Sequence, residues 1–369
     1  MPSATAWLQI GGIHRIHYTS PGAVMEPSSS IIVVGASAGG VTSLEQLVSG
    51  LPTDLLGAVF VVLHIPPDAV SRLPQILSRS GPLSAVHPQD GDRIRPRQIY
   101  VAPPDHHLLI DGDRIGVKKG PRENRFRPSI DALFRSAAYT YRTRVIGVVL
   151  SGVLDDGTSG LWSIKRLGGI TVVQDPEDAA HNAMPLNALE QVEIDHSLPA
   201  RDMGPLLARL SRQGPAAASE TARDPDRQME IEVAVAGGGN AFARGIMECT
   251  ELSPFTCPEC HGALVELKEG NVTRFRCHTG HAFSKSALLA GVTEAVDHSL
   301  WQVTRALEEC VMLLEQMARD LQERGQTAEA DRVLRKARDT ERRASALQVI
   351  TLQHEHLSEE ALRDPPEAK

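Results

Sequence analysis

Between residues 29 and 213 the chain alternates short, fully apolar runs with amphipathic stretches. The runs are SIIVVGAS (30–37), AVFVVLH (58–64), QIYVAP (98–103), RVIGVVLSG (144–152) and GITVVQD (169–175). They are rich in β-branched residues and show no polar alternation, the pattern of strands covered on both faces. Helical periodicity separates several of them, at 42–51, 129–141 and 159–168. Strand and helix in succession predict an α/β domain with a doubly wound, mostly parallel sheet. The stretch 105–119 reads instead as a hairpin turning at Asp111-Gly112, an antiparallel addition at one edge of that sheet.

The rest of the chain follows other patterns. Residues 211–228 are rich in Pro, Ala, Ser and charge without apolar periodicity, so 214–247 reads as a linker. A small Cys/His module is expected at 248–284. From 285 to 360 Leu289, Val292, Val296, Leu300, Val303, Leu307, Val311, Leu314, Met317 and Leu321 recur at helical spacing. Arg324-Gly325-Gln326-Thr327 breaks this stripe, and Ala330, Leu334, Ala337, Ala344 and Leu347 continue a weaker one. The two stripes predict a helical hairpin. Residues 1–28 are expected to be a disordered leader, with Met25 a competing start, and 361–369 a disordered tail.

Composition narrows the function classes. With 369 residues there is room for two or three domains, and 4% aromatics leaves an aliphatic core. A net charge of −8 gives no general attraction to nucleic acid or anionic membrane. No apolar run reaches the roughly 18 residues of a membrane span, and the N-terminus lacks the build of a secretory signal. Five cysteines, three of them Cys257, Cys260 and Cys277, do not make a disulfide framework. Reduced thiols and a cytoplasmic location are expected.

Candidate chemistry sits at the strand ends. Gly35-Ala36-Ser37-Ala38-Gly39-Gly40 lies where a strand should hand over to a helix. There the glycines permit a sharp turn, and the free N–H groups of the helix start favour negative charge. Such a loop can bind a phosphate, project a nucleophile, or merely allow close packing. The spacing fits neither a dinucleotide fingerprint nor a P-loop. It also matches the nucleophile elbow, but no late histidine supplies that fold's Ser, Asp, His order. His64 ends the second strand, and Asp155-Asp156-Gly157 follows the strand at 144–152. Serine, histidine and aspartate from three strand ends suit a serine activated by an oriented base.

Six motifs in order resemble the catalytic domain of the CheB-type chemotaxis protein-glutamate methylesterases. They are GASAGG (35–40), LHIPP (63–67), APPDHHL (102–108), PSID (128–131), LSGVLDDG (150–157) and NAMP (182–185). The resemblance covers about half the chain. It implies hydrolysis of methyl esters on receptor glutamates, often with deamidation of receptor glutamines, and no catalytic cofactor. By position it makes Ser37 the nucleophile, His64 the base and Asp156 the orienting acid. Backbone N–H groups of the Ala38-Gly39 turn and near Val153 become oxyanion donors. A methylated chemoreceptor is the implied partner. The sequence departs from the family at Ala38, usually Thr; at Val153-Leu154, usually Met-Gly, where a different loop backbone is expected; and at Asp68-Ala69-Val70, where an aromatic is common. These departures bear on the substrate pocket. The family's receiver domain has no counterpart in the 28 residues before the first strand, so activation by phosphorylation in cis is not expected.

Cys257-x2-Cys260 and Cys277-x3-His281 have the spacing of a zinc ribbon, with His278 a competing fourth ligand. A closed four-ligand set would make Zn²⁺ structural. A ribbon without metal is the rival reading, and His261 and Cys249 read as bystanders. The hairpin reads as a dimerising element or a docking site for signalling partners. Two other functions compete with the esterase on protein: a catalytically weak signalling scaffold, and an esterase of small molecules.

Overall fold

The computed structural model describes residues 30–213, 225–355 and 357. The expected leader 1–28, the tail 361–369 and part of the expected linker lie outside the described residues. In chain order the first half comprises β1 (Ser30–Ala36), α1 (Gly40–Ser49), β2 (Gly57–Leu63), α2 (Leu73–Ser80), β3 (Ser84–Val86) and β4 (Gln98–Val101). It continues with β5 (His107–Asp111), β6 (Arg114–Lys118), α3 (Ile130–Tyr141), β7 (Val145–Val149) and α4 (Thr158–Arg166). It closes with β8 (Ile170–Gln174), α5 (Ala183–Gln191), β9 (His196–Leu198) and α6 (Ala200–Arg212).

The main sheet has seven strands in the order β3-β4-β2-β1-β7-β8-β9, and every pairing is parallel. The chain winds outward from β1 through β2 to the edge strand β3, sets β4 between β3 and β2, then returns to β7 on the other side of β1. The β1/β7 boundary is therefore the switch point, where an open parallel sheet leaves a crevice beyond its strand ends. Alternate side chains feed two cores. Ile31, Val33, Phe60 and Val62 pack with α3, α4 and α5; Ile32, Val34, Val59 and Val61 pack with α1, α2 and α6. Burial on both faces is why these strands read as continuous apolar runs. Each fully buried Ile, Val or Phe contributes on the order of 1.5–3 kcal/mol.

Three expectations change. The 105–119 hairpin forms, turning at Gly112 with φ 59°, but β5 and β6 make a separate two-stranded sheet and do not extend the main one. The expected linker contains a buried helix, α7 (Arg227–Ala236), capped by Asp226, whose side chain accepts from Met229 N–H at 2.9 Å. Its Ile231, Val233 and Val235 alternate like a strand because the helix is covered on all sides, so no helical stripe is visible. The third change concerns the C-terminal helices.

The remaining strands, β10 (Glu251–Thr256), β11 (Ala263–Glu269), β12 (Val272–Cys277) and β13 (Ala282–Ser284), form an antiparallel sheet in sequence order. This ribbon is docked on the α/β domain. A Cβ at Gly270, in its β11–β12 turn, would lie 2.5 Å from Nε1 of Trp162 on α4. Between ribbon and domain Arg135 of α3, Arg274 and Arg276 of β12, Glu123 and Glu232 form a buried ionic cluster. Arg276 Nη2 donates to Glu123 at 2.7 Å, Arg274 Nη1 to Glu232 at 2.7 Å and Arg135 Nη1 to Glu123 at 3.1 Å. Glu269 adds a third carboxylate, 3.2 Å from Arg274. Helices α8 (Lys285–Glu323) and α9 (Thr327–Leu352) then form the hairpin. The α8 stripe is not one buried face. Leu300, Leu307, Leu314 and Leu321 are half-buried, whereas Val292, Val296, Val303 and Met317 are exposed. The reason is α9, whose buried Ala330, Ala337 and Ala344 recur every seventh residue and make it a narrow partner.

Candidate active site

Ser37 follows β1 directly. Its N–H donates to Ser151 O at 2.9 Å, which closes the turn against the loop after β7. Gly39 must be glycine, because φ is +72° and a Cβ would meet Ala180 Cβ at 2.7 Å and Ser151 Oγ at 2.8 Å. Gly152 faces Ser37 so closely that a Cβ there would lie 2.8 Å from Ser37 Cβ and 2.0 Å from Met184 Sδ. Met184, in the NAMP motif, thus forms the floor beside the serine. Ser151 Oγ donates to Ala38 O at 2.8 Å and accepts from His181 N–H at 2.9 Å, which ties three loops together.

The structure brings together the three side chains expected from the strand ends. His64, after β2, places Nδ1 3.2 Å from Ser37 Oγ and Nε2 2.8 Å from Asp156 Oδ2. The network assigns the tautomer: Nε2–H donates to Asp156, and Nδ1 is free to accept from the serine. Phe126 stacks on the imidazole, with ring centroids 3.7 Å apart and planes 7° from parallel.

Asp156 receives five donors. Besides His64 these are Ile130 N–H at 2.8 Å, Asp131 N–H at 3.1 Å, Asn124 Nδ2 at 2.9 Å and Ser129 Oγ at 3.1 Å. The two backbone donors are the first amides of α3, so Asp156 also sits on the positive end of that helix. Burial alone would raise its pKa. The bonds from His64, Ile130 N–H and Asn124 outweigh burial and hold it below the usual carboxylate range. Asp131, of the PSID motif, accepts from Gly157 N–H at 3.0 Å and Gly160 N–H at 2.7 Å and so joins the starts of α3 and α4. Burial and the neighbouring Asp156 carboxylate push Asp131 up to about 8. Asp155 points away from the histidine, and its Oδ1 accepts from Ser284 Oγ at 2.6 Å.

Among the described residues the N–H groups of Ala38, Gly39 and Val153 donate to no other group, whereas Gly152 N–H is taken by His181 O at 3.0 Å. Leu154 has φ 62°, a left-handed value that a glycine would take as readily. Asn124 and Phe126 were not legible from the motifs. They lie in a loop far from the strand ends, and only the fold brings them to Asp156 and His64.

The second cluster is the Cys/His set. The ligand atoms of Cys257, Cys260, Cys277 and His281 lie within 4.8 Å of one another. Cys260 and Cys277 sulfurs are 3.6 Å apart, and His281 Nδ1 is 3.6 Å from Cys277 Sγ and 3.7 Å from Cys257 Sγ. Tetrahedral Zn²⁺ with Zn–S of about 2.3 Å needs sulfurs about 3.8 Å apart, so three thiolates and an imidazole at these spacings fit it. His278 lies outside the cluster, edge-on to Phe242 at 6.4 Å. His261 is not among the four, and Cys249 packs against an apolar cluster containing Val265 and Leu267.

Comparison with known proteins places the α/β half of the chain. The family model for CheB methylesterase matches residues 32–207. A Leptospira interrogans protein, provisionally named protein-glutamate methylesterase/protein-glutamine glutaminase, is 36% identical over 49% of this chain and 94% of its own length. The enzyme of that name numbered 5 in Anaeromyxobacter dehalogenans is 36% identical over 52% of this chain and 53% of its own. The Thermotoga maritima enzyme is 31% identical over 51% of this chain and 55% of its own. A crystal structure of the Thermotoga maritima CheB methylesterase catalytic domain is 31% identical, with a TM-score of 0.48 over 50% of this chain and 99% of that one. The chain belongs to the CheB methylesterase family. It spans nearly all of the Leptospira relative and about half of the other two. Residues beyond 207 lie outside the family match, and they include the ribbon and both long helices.

Proposed function

We propose that this protein is a serine hydrolase that removes methyl esters from glutamate side chains of a chemoreceptor. The observation that carries the reading is the Ser37–His64–Asp156 relay at the switch point of the sheet, in a member of this family. Ser37 Oγ attacks the ester carbonyl while its proton passes to His64 Nδ1. Asp156 holds the resulting imidazolium in register. The oxyanion is received by the free N–H groups of Ala38 and Val153. His64 then gives its proton to the departing methoxide and methanol leaves. Water, deprotonated by the same nitrogen, cleaves the acyl-serine and returns the glutamate carboxylate. A glutamine amide would follow the same steps with ammonia as leaving group, which fits the double name of the relatives.

We assign a structural Zn²⁺ to Cys257, Cys260, Cys277 and His281, supported by their donor set and spacing. With four protein ligands no position is left for substrate, so the metal supplies folding energy and not chemistry. Docking to signalling partners is assigned to the α8–α9 hairpin, which carries Trp301, Leu313 and Ile350 exposed. Among the described residues no helix is long and apolar enough to cross a membrane. A cytoplasmic location fits five free thiols.

The test is methanol release from a methylated receptor preparation, followed by mass spectrometry of its glutamates. Ser37→Ala is expected to lower the rate by at least about a thousandfold. Undiminished release by that variant would overturn the reading in favour of a scaffold that co-purifies with an esterase. Hydrolysis of simple esters without release from receptor would move the substrate class to small molecules.

A further inference from the structure

Residues 122–126 connect β6 to α3 and lie between two parts of the molecule. On one side they touch the relay. Asn124 Nδ2 donates to Asp156 Oδ1 at 2.9 Å, and Phe126 covers the His64 ring at 3.7 Å. On the other side they are bound by the ribbon. Asn124 N–H donates to Ala282 O at 2.7 Å, Ala282 N–H to Arg122 O at 3.1 Å and Ser284 N–H to Asn124 Oδ1 at 2.8 Å. Segment 122–124 therefore runs along β13 like an added strand, with Glu123 bridged to Ala282 in parallel. Glu123 is the carboxylate that Arg274 and Arg276 of β12 engage in the buried cluster. Arg125 pairs with Glu294 on α8.

The local backbone would not hold this shape unaided. Glu123 and Phe126 exchange both backbone bonds, at 3.2 and 2.9 Å, around a two-residue turn. Asn124 has φ 50° and Arg125 φ 74°, both left-handed, as a type I′ turn demands. An asparagine tolerates that region, whereas an arginine there is strained by its Cβ. External bonds must offset the cost: β13, β12 and α8 supply them on the ribbon side, and Asp131 and Arg135 of α3 supply others within the domain. A base and its orienting acid need placement to within about 0.5 Å and 10–20°. The amide that clamps the acid and the ring that covers the base are both carried by this ribbon-held turn.

We propose that the Cys/His ribbon, with the first turns of α8, is a positioning element of the hydrolase. It holds Asn124 against Asp156 and Phe126 against His64, and turnover depends on the ribbon being folded and docked. Asn124 and Phe126 are positioning residues: they act on Asp156 and His64, not on substrate. The proposal rests on the hydrolase reading above, and it adds that a domain outside the family match controls the site.

Four forms of the full chain test it: the parent, Asn124→Gly, Cys260→Ser, and Cys310→Ser as a control on the exposed face of α8. Asn124→Gly keeps the left-handed turn and its N–H to Ala282, and deletes the side-chain bonds to Asp156, Asp131 and Ser284. Cys260→Ser disturbs the ribbon without touching the relay. Two readouts are taken, methanol release with kcat and KM separated, and the rate at which a fluorophosphonate labels Ser37. Hydrogen exchange of β1 and β7 reports whether the main sheet is intact. Asn124→Gly and Cys260→Ser are expected to lower kcat and the labelling rate about tenfold or more, with KM within about twofold of the parent. Cys310→Ser is expected to match the parent. Parental kcat and labelling in both test variants, or in Asn124→Gly alone if Cys260→Ser does not fold, would overturn the proposal. A parent that labels at Ser37 but releases no methanol would refute the substrate reading, and the labelling rates would still decide the ribbon's role.

Discussion

At Asp156 one carboxylate orients the base and joins two helices. It does not cap α4, which follows it; the first amides of α3 and the His64 ring converge on its two oxygens. The relay was legible because its members stand at strand ends, where parallel topology must gather them. Asn124 and Phe126 carried no such signal: each is an ordinary loop residue until β13 and α3 place it. Leu154 is a departure from the family pattern. A leucine at φ 62° is strained. Leu154→Gly is therefore expected to raise the unfolding free energy by about 0.5–1 kcal/mol after the entropic cost of glycine. Urea denaturation reads this as a higher midpoint, and a lower one would refute it.

Among the elements, α7 and the ribbon depend on charge buried between them. Burial would raise Glu123 and Glu232, but the surrounding Arg135, Arg274 and Arg276 guanidinium groups hold both below the usual glutamate value of 4.5. The sign follows. A carboxylate with a depressed folded pKa contributes stability that is present above its unfolded pKa and is lost as pH falls through the folded one. Ribbon docking is thus expected to be constant from neutral pH down to about the free-glutamate value and to weaken below it. Hydrogen exchange should show β12 amides losing protection on acidification before those of β1 and β7. Simultaneous loss in all three strands would show that the cluster does not hold the ribbon. Such a cluster costs desolvation when formed and more when half broken, so it favours one register of docking over its neighbours. Sequence periodicity could not find α7, since the signal for a helix is a boundary between wet and dry faces and this helix has almost no wet face.

Over the whole molecule, a family domain and an extension meet at the 122–126 turn, and the Cys/His cluster lies in the extension, with His281 next to the Ala282 that bonds this turn. Metal analysis of the purified chain is expected to give about one zinc per molecule. Its removal by a strong chelator is expected to lower the melting temperature by about 5 °C or more, with recovery on adding zinc. No change on chelation would favour the ribbon without metal. The α/β class, the helices at 42–51, 129–141 and 159–168, the helical hairpin and the clustering of Cys257, Cys260, Cys277 and His281 were all readable in the chain, because each rests on local periodicity or short spacing. The meeting of Ser37, His64 and Asp156 was readable for a related reason: parallel strands deliver their ends to a common edge. What only the tertiary structure decided was everything set by distant segments meeting: the hairpin sheet lying apart from the main one, the helix inside the expected linker, and the turn at 122–126 held by the ribbon. Those depend on which buried groups find partners in distant segments, 42 residues apart for Glu232 of α7 and Arg274 and 151 or more for the turn and β12–β13, and no pattern local to the chain encodes that choice.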